Sequence, residues 1–101
     1  PMIIVTGSVR ARPDTEAELV ALCREHSARS RAEEGCIAHN VHRDCDDPAL
    51  LVFVEYWRGM AALNAHFALK ESREFVKVAR RLSAGGTPMR IFEAAEVKAE
   101  A

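Results

Sequence analysis

The sequence predicts an α+β domain of the ferredoxin-like β-α-β-β-α-β kind, with a four-stranded antiparallel sheet and two helices on one of its faces. Three observations lead there. The spacing of apolar residues switches between two and about 3.6 along the chain. Helix and strand breakers stand where it switches: Arg12-Pro13-Asp14-Thr15, Gly35, Asp44 to Pro48, Arg58-Gly59 and Gly85 to Pro88. The length of 101 residues leaves room for one domain, with its core expected over residues 2–97.

Residues 2–11 alternate, with Ile3, Val5, Gly7 and Val9 on one face, and read as a strand. Asp14 or Thr15 can cap the helix that follows, and Glu16 and Glu18 suit the positive end of its dipole. Leu19, Leu22, Cys23, His26 and Ser30 make a narrow stripe at helical spacing, so a helix is expected from Glu16 to about Glu34. Gly35 is placed to end it in a left-handed conformation. Residues 36–44 alternate again, setting Ile37, His39 and Val41 against Ala38, Asn40 and His42. A turn through Asp44-Cys45-Asp46-Asp47-Pro48 leads into residues 49–57, and the two strands form a hairpin. Residues 60–84 carry a second helical pattern, with room for a break near Lys70 to Ser72. A last strand spans residues 89–97, and the tail should fray.

Composition excludes several classes. The chain is 49% apolar and 29% charged, the make-up of a folded protein rather than a disordered one. Lys and Arg total 14 against 15 for Asp and Glu, so no basic excess favours a nucleic-acid partner. No apolar run approaches the roughly 20 residues that span a membrane. No secretory leader is readable at the start, and Cys23, Cys36 and Cys45 form neither a C-x-x-C pair nor an even set. A reduced, cytoplasmic protein is the expectation.

The strand at 49–57 is apolar on both faces: Leu51, Phe53 and Trp57 on one, Leu50, Val52, Val54 and Tyr56 on the other. A sheet with one wet face alternates apolar with polar. Two helices cover one face only, so the other is expected to meet a second copy in a homodimer joined through the sheet.

Among residues that carry chemistry, His66 lies on the apolar face of the second helical pattern, between Leu63 and Phe67, as a core residue or a pocket group. Glu55 is a carboxylate between Phe53 and Trp57 on its own face, where it either reaches solvent or needs a partner. His66 and Glu55 can share a pocket, because the helix follows directly from the strand. Trp57 is a core residue or a flat wall for an aromatic ligand. His39 and His42 are three apart in a strand and point to opposite faces, and no metal-ligand spacing is present, so no metal is expected. No nucleotide, flavin or nicotinamide motif is readable.

Glu34-Gly35-Cys36, the Asp-Asp-Pro turn, Glu55-x-Trp57 and Ala62-Leu63-x-Ala65-His66, taken in order, resemble the antibiotic biosynthesis monooxygenase (ABM) domain over residues 2–97, and within it the small quinol monooxygenases. The resemblance implies a dimeric α+β barrel. It also implies a monooxygenase without a cofactor, which oxidises a small phenol, hydroquinone or anthrone with molecular oxygen. His66 would be the base and Glu55 would set the state of a neighbour. Trp57, His39, Phe67 and Asn40 would contact the aromatic substrate. His39 stands where the family usually has an aromatic residue, and Glu71 where several members have a second histidine. Gly7, His66 and Val76 replace the residues of the heme-degrading branch, so that activity is not expected. Two other readings suit the same residues. One is an isomerase, for which Arg10, Arg43 or Arg90 would bind phosphate near the pocket. The other is a non-catalytic dimer that binds an aromatic metabolite.

Overall fold

The computed structural model describes residues 1–100. Four strands, β1 (Met2–Arg10), β2 (Cys36–Arg43), β3 (Leu50–Trp57) and β4 (Met89–Ala94), form one sheet in the order β2-β3-β1-β4, with every neighbour antiparallel. Helix α1 (Glu16–Arg31) joins β1 to β2. Between β3 and β4 run two helices, α2 (Met60–Ala68) and α3 (Lys70–Leu82). This is the ferredoxin-like fold. Among the described residues no helix is long and apolar enough to cross a membrane.

The second helical stretch is broken at Leu69, whose φ of −66° and ψ of 138° are extended. That break, close to the expected Lys70, turns α3 relative to α2 and lets both line one space. The first helix stops at Arg31, short of the expected Glu34, which frees Glu33 from the helical ladder. Thr15 stands at its N-cap without capping through its side chain. The Thr15 hydroxyl instead donates to the Leu82 carbonyl at 2.7 Å, tying the start of α1 to the end of α3. Gly35 has φ +82°, and a Cβ there would lie 2.5 Å from Ala62 Cβ, so the turn needs glycine for two separate reasons.

The core lies between the helices and one sheet face. Val9, Leu51 and Phe53 pack with Leu19, Cys23, Ala79 and Leu82, and Ile3, Val5 and Trp57 pack with Leu63. The register carries one irregularity. Cys36 pairs with Trp57 and Ala38 with Tyr56, which makes Ile37 the extra residue of a bulge. Ile37 is therefore 56% exposed, and it does not share the face of His39 as strict alternation predicts. Strand β4 stops at Ala94 rather than at residue 97. Only one face of β3 is fully covered in the single chain. On the other face Tyr56 and, paired through β1, Phe92 remain 37% and 39% exposed.

Candidate active site

Three histidines converge beneath the helices, each from a different element. His26 comes from α1, His39 from β2 and His66 from α2, and all three are buried. Their ring centroids stand 5.2 to 5.7 Å apart. Helical spacing brings His26 inward on the stripe of Leu19 and Cys23, where its ring stacks flat on Phe75 at 3.9 Å. Regular alternation from the hairpin sets His39 inward, opposite Glu55 of β3. Its Nδ1 lies 2.8 Å from the Ser27 hydroxyl, which α1 presents one residue beyond His26. His66 Nδ1 lies 2.9 and 3.1 Å from the two oxygens of Glu33. Since a carboxylate accepts, Nδ1 is the donor to Glu33, and in the neutral imidazole Nε2 is then the acceptor nitrogen.

Glu55 is 6% exposed on β3, opposite His39 in the register. Its Oε1 accepts from Trp57 Nε1–H at 2.9 Å. Its Oε2 stands 3.4 Å from His39 Nε2 without the alignment of a hydrogen bond, so that nitrogen is buried with no partner. Burial, eased by the Trp57 bond and reinforced by the charge of Glu33, pushes the Glu55 carboxyl up to about 7. Burial first, then the neighbouring His66 and Arg31 charges, pulls His39 down to about 3. Burial, followed by His39, His66 and Arg29, pulls His26 down to about 3 as well.

The cluster opens on a cavity of about 630 Å³ between β1, β3, the start of β4 and the two faces of α2 and α3. His26, Glu55 and His66 face it, together with the apolar walls of Phe53, Phe67 and Phe75. Gly7 on the central strand leaves room there, since its place in the row of Val5 and Val9 carries no side chain. Arg73, Lys77 and Arg80 of α3 stand along the cavity's rim.

The predicted residues divide cleanly. His66, Glu55 and Phe67 line the cavity. Trp57 and His39, both fully buried, stand behind it, with the indole 4.6 Å from the His66 ring centre. Asn40 is not part of this group. Strand alternation puts it on the face opposite His39, where it borders a separate groove between α1 and β2, near Arg24 and Arg31. The arginines considered for phosphate are elsewhere: Arg10 pairs with Asp47 at 2.8 Å, Arg43 with Glu16 at 2.8 Å, and Arg90 lies over Phe92. Sequence reasoning did not single out Glu33 or His26. His26 was visible on its helical stripe, whereas the reach of Glu33 depends on where α1 ends. Local spacing shows no metal-ligand set, yet the fold assembles three imidazoles across 40 residues of sequence.

Comparison with known proteins identifies the family and the fold. The family model for the antibiotic biosynthesis monooxygenases matches residues 2–78. An uncharacterised protein of Synechocystis is 33% identical over 96 residues, which is 95% of this chain and 65% of the relative, so the chain spans just under two thirds of that relative's length. A protein of Deinococcus radiodurans named for the same family superposes with a TM-score of 0.92 at 23% identity, over 98% of both chains. A Mycobacterium tuberculosis protein superposes with a TM-score of 0.89 at 21% identity, covering 98% of this chain and all of its own. At those identities the two structures speak for the fold. The family model, which matches most of the chain, carries the assignment: the chain belongs to the antibiotic biosynthesis monooxygenase family.

Proposed function

We propose that the chain is a monooxygenase that oxidises a small electron-rich aromatic, a phenol, hydroquinone or anthrone, with molecular oxygen inside the 630 Å³ cavity. The observation that carries this reading is His66, held by Glu33 at 2.9 Å on one nitrogen and lining an apolar, aromatic-walled space. A neutral imidazole so oriented is a general base. It takes the proton of a substrate hydroxyl, or the acidic C–H of an anthrone. The resulting anion gives electrons to oxygen and forms a carbon-bound peroxide. The peroxide loses water to leave a quinone. One oxygen atom enters the product and the other leaves as water, and the substrate supplies every electron, so the balance needs no external reductant. Phe53, Phe67 and Phe75 hold the ring away from water. Trp57, fixed by its bond to Glu55, packs against His66 and keeps the imidazole in place.

The working unit in this reading is a homodimer joined through the outer sheet face. Ile4 lies between Tyr56 and Phe92 in the register, and together they form an apolar row that the chain's own helices do not cover. A second reading, an isomerase acting on a phosphorylated small molecule, is favoured by Arg73, Lys77 and Arg80 on the rim. An oxygen electrode separates the two. Uptake with at least one hydroquinone or anthrone, lost in His66→Ala with the fold retained by circular dichroism, supports the oxygenase. Absence of uptake across the panel, with turnover of a phosphosugar under nitrogen, would replace it with the isomerase.

A further inference from the structure

We propose that His26, His39 and His66 form a binding site for one divalent first-row transition-metal ion, open to the cavity on its fourth side. One nitrogen from each ring lies within 4.8 Å of the others. For a near-equilateral triangle of that size the centre is within about 2.8 Å of each nitrogen, and metal–imidazole bonds are about 2.0–2.1 Å, so each ring moves inward by about 0.8 Å. Small side-chain rotations supply that movement.

Three features point to an ion rather than to a packed core. His39 Nε2 is buried and has no hydrogen-bond partner, an unusual state for a polar atom and one a metal would relieve. The outer nitrogens of two rings are already anchored: His39 Nδ1 by the Ser27 hydroxyl at 2.8 Å, and His66 Nδ1 by the Glu33 carboxylate at 2.9 Å. Such anchoring orients imidazoles whose other nitrogen binds a metal. The Glu55 carboxylate lies 3.4 Å from His39 Nε2, where it would balance the charge of an ion, and His26 and His66 line the cavity, which gives an entry path. Three imidazoles beside a carboxylate favour zinc, iron(II), cobalt(II), nickel(II) or copper(II) over magnesium or calcium. Two cations oppose the arrangement. Arg31 stands near His39, its Nη1 donating to the His39 carbonyl at 2.8 Å. Arg29 Nη2 is 3.4 Å from His26 Nδ1, but the same side chain pairs with Glu25 at 3.0 Å and is exposed enough to turn outward.

The inference does not rest on the oxygenase reading, and the two are tested apart. Chelator-stripped protein is titrated with cobalt(II) and followed by its visible ligand-field absorption, with zinc(II) as competitor. The expected result is one ion per chain. His26→Phe, which keeps the stack on Phe75, and His39→Asn should each weaken binding by at least about 100-fold, and Glu33→Gln by about 10- to 100-fold. Circular dichroism confirms that each variant folds. Sub-stoichiometric binding, or binding that survives His26→Phe and disappears in His42→Ala, whose exposed imidazole is the competing surface ligand, would overturn the site. Zinc would occupy the nitrogen used as base, so oxygen uptake should fall in step with occupancy. Stoichiometric binding without inhibition would keep the metal site and remove His66 as the base.

Discussion

Glu33→Gln isolates the pairing on which the proposed chemistry depends. Glu33 touches His66 through two oxygens at 2.9 and 3.1 Å, yet it does not line the cavity. Glutamine keeps the shape and can still accept from Nδ1–H through its carbonyl, but it withdraws the negative charge that stabilises an imidazolium and can present its amide hydrogens instead. General-base catalysis contributes about 10²- to 10⁴-fold. Losing the charge behind the base should therefore lower kcat about 100-fold or more while KM moves little, since no substrate contact changes. A hydrogen bond to a charged group is worth about 1.5–3 kcal/mol, and the glutamine retains part of it, so stability should fall by about 1–2 kcal/mol. That is a Tm loss on the order of 10 °C for a domain near this size. The assay is oxygen uptake against substrate concentration, run on Glu33→Gln, His66→Ala and the double variant. Residues that act as one unit are not additive, so the double variant should be no slower than His66→Ala. A kcat within threefold of the parent, or two effects that multiply, would refute the pairing of Glu33 with a catalytic His66.

Gly35→Ala combines a left-handed φ with a Cβ 2.5 Å from Ala62, and chemical denaturation should show a loss of roughly 3 kcal/mol, part of it recovered in Gly35→Ala/Ala62→Gly. Burial pushes the Cys23 thiol up to about 12 and the Cys36 thiol up to about 11, the latter helped by Glu33 and Glu55. Mass spectrometry after brief alkylation at neutral pH should find the exposed Cys45 modified and Cys23 untouched until the protein unfolds. In metal-free buffer His26 and His39 remain neutral when folded down to about pH 3 but take up protons in the unfolded chain from about 6.5. The unfolded state binds more protons in that window, so stability falls as pH falls, by about 1.4 kcal/mol per pH unit for each histidine. Glu55, raised from 4.5 to about 7, acts with the opposite sign between those values and offsets part of the slope, so denaturation midpoints should drop most steeply below pH 4.5. His26→Phe should remove about half of that low-pH slope.

The order of strands and helices could be read from residue spacing alone, because each element buries one face and its breakers are strong. Gly35 showed its left-handed turn, and the doubly apolar β3 showed the bare outer face. His66 and Glu55 stood out as polar groups set among large apolar neighbours. What spacing could not show was anything that depends on a single residue of offset. The bulge at Ile37 changes which residues of β2 face inward, and no residue type around it announces the irregularity. The early end of α1 decides whether Glu33 is a helical surface charge or the partner of a histidine 33 residues away. The convergence of His26, His39 and His66 depends on how α1, β2 and α2 pack together, which no local spacing reports. Asn40 shows the limit from the other side: its neighbour His39 belongs to the cluster, and alternation alone keeps it out.

Gly7 gives the cavity a property that the polar residues do not. The space beneath α3 exists partly because one position of the central strand has no side chain, while the glycine's backbone there sits in ordinary extended pairing with Phe53 and Met89. A Cβ at this place would meet nothing closer than the Pro88 carbonyl oxygen at 3.5 Å. The position is therefore free to change without strain. Each added carbon subtracts from the room for a ligand and leaves Glu33, Glu55 and the histidines where they are. Substrate size and reaction chemistry are thus written in separate parts of the chain. Relatives could drift across ligands of different bulk by successive single substitutions on β1, with the proton-transfer apparatus inherited intact.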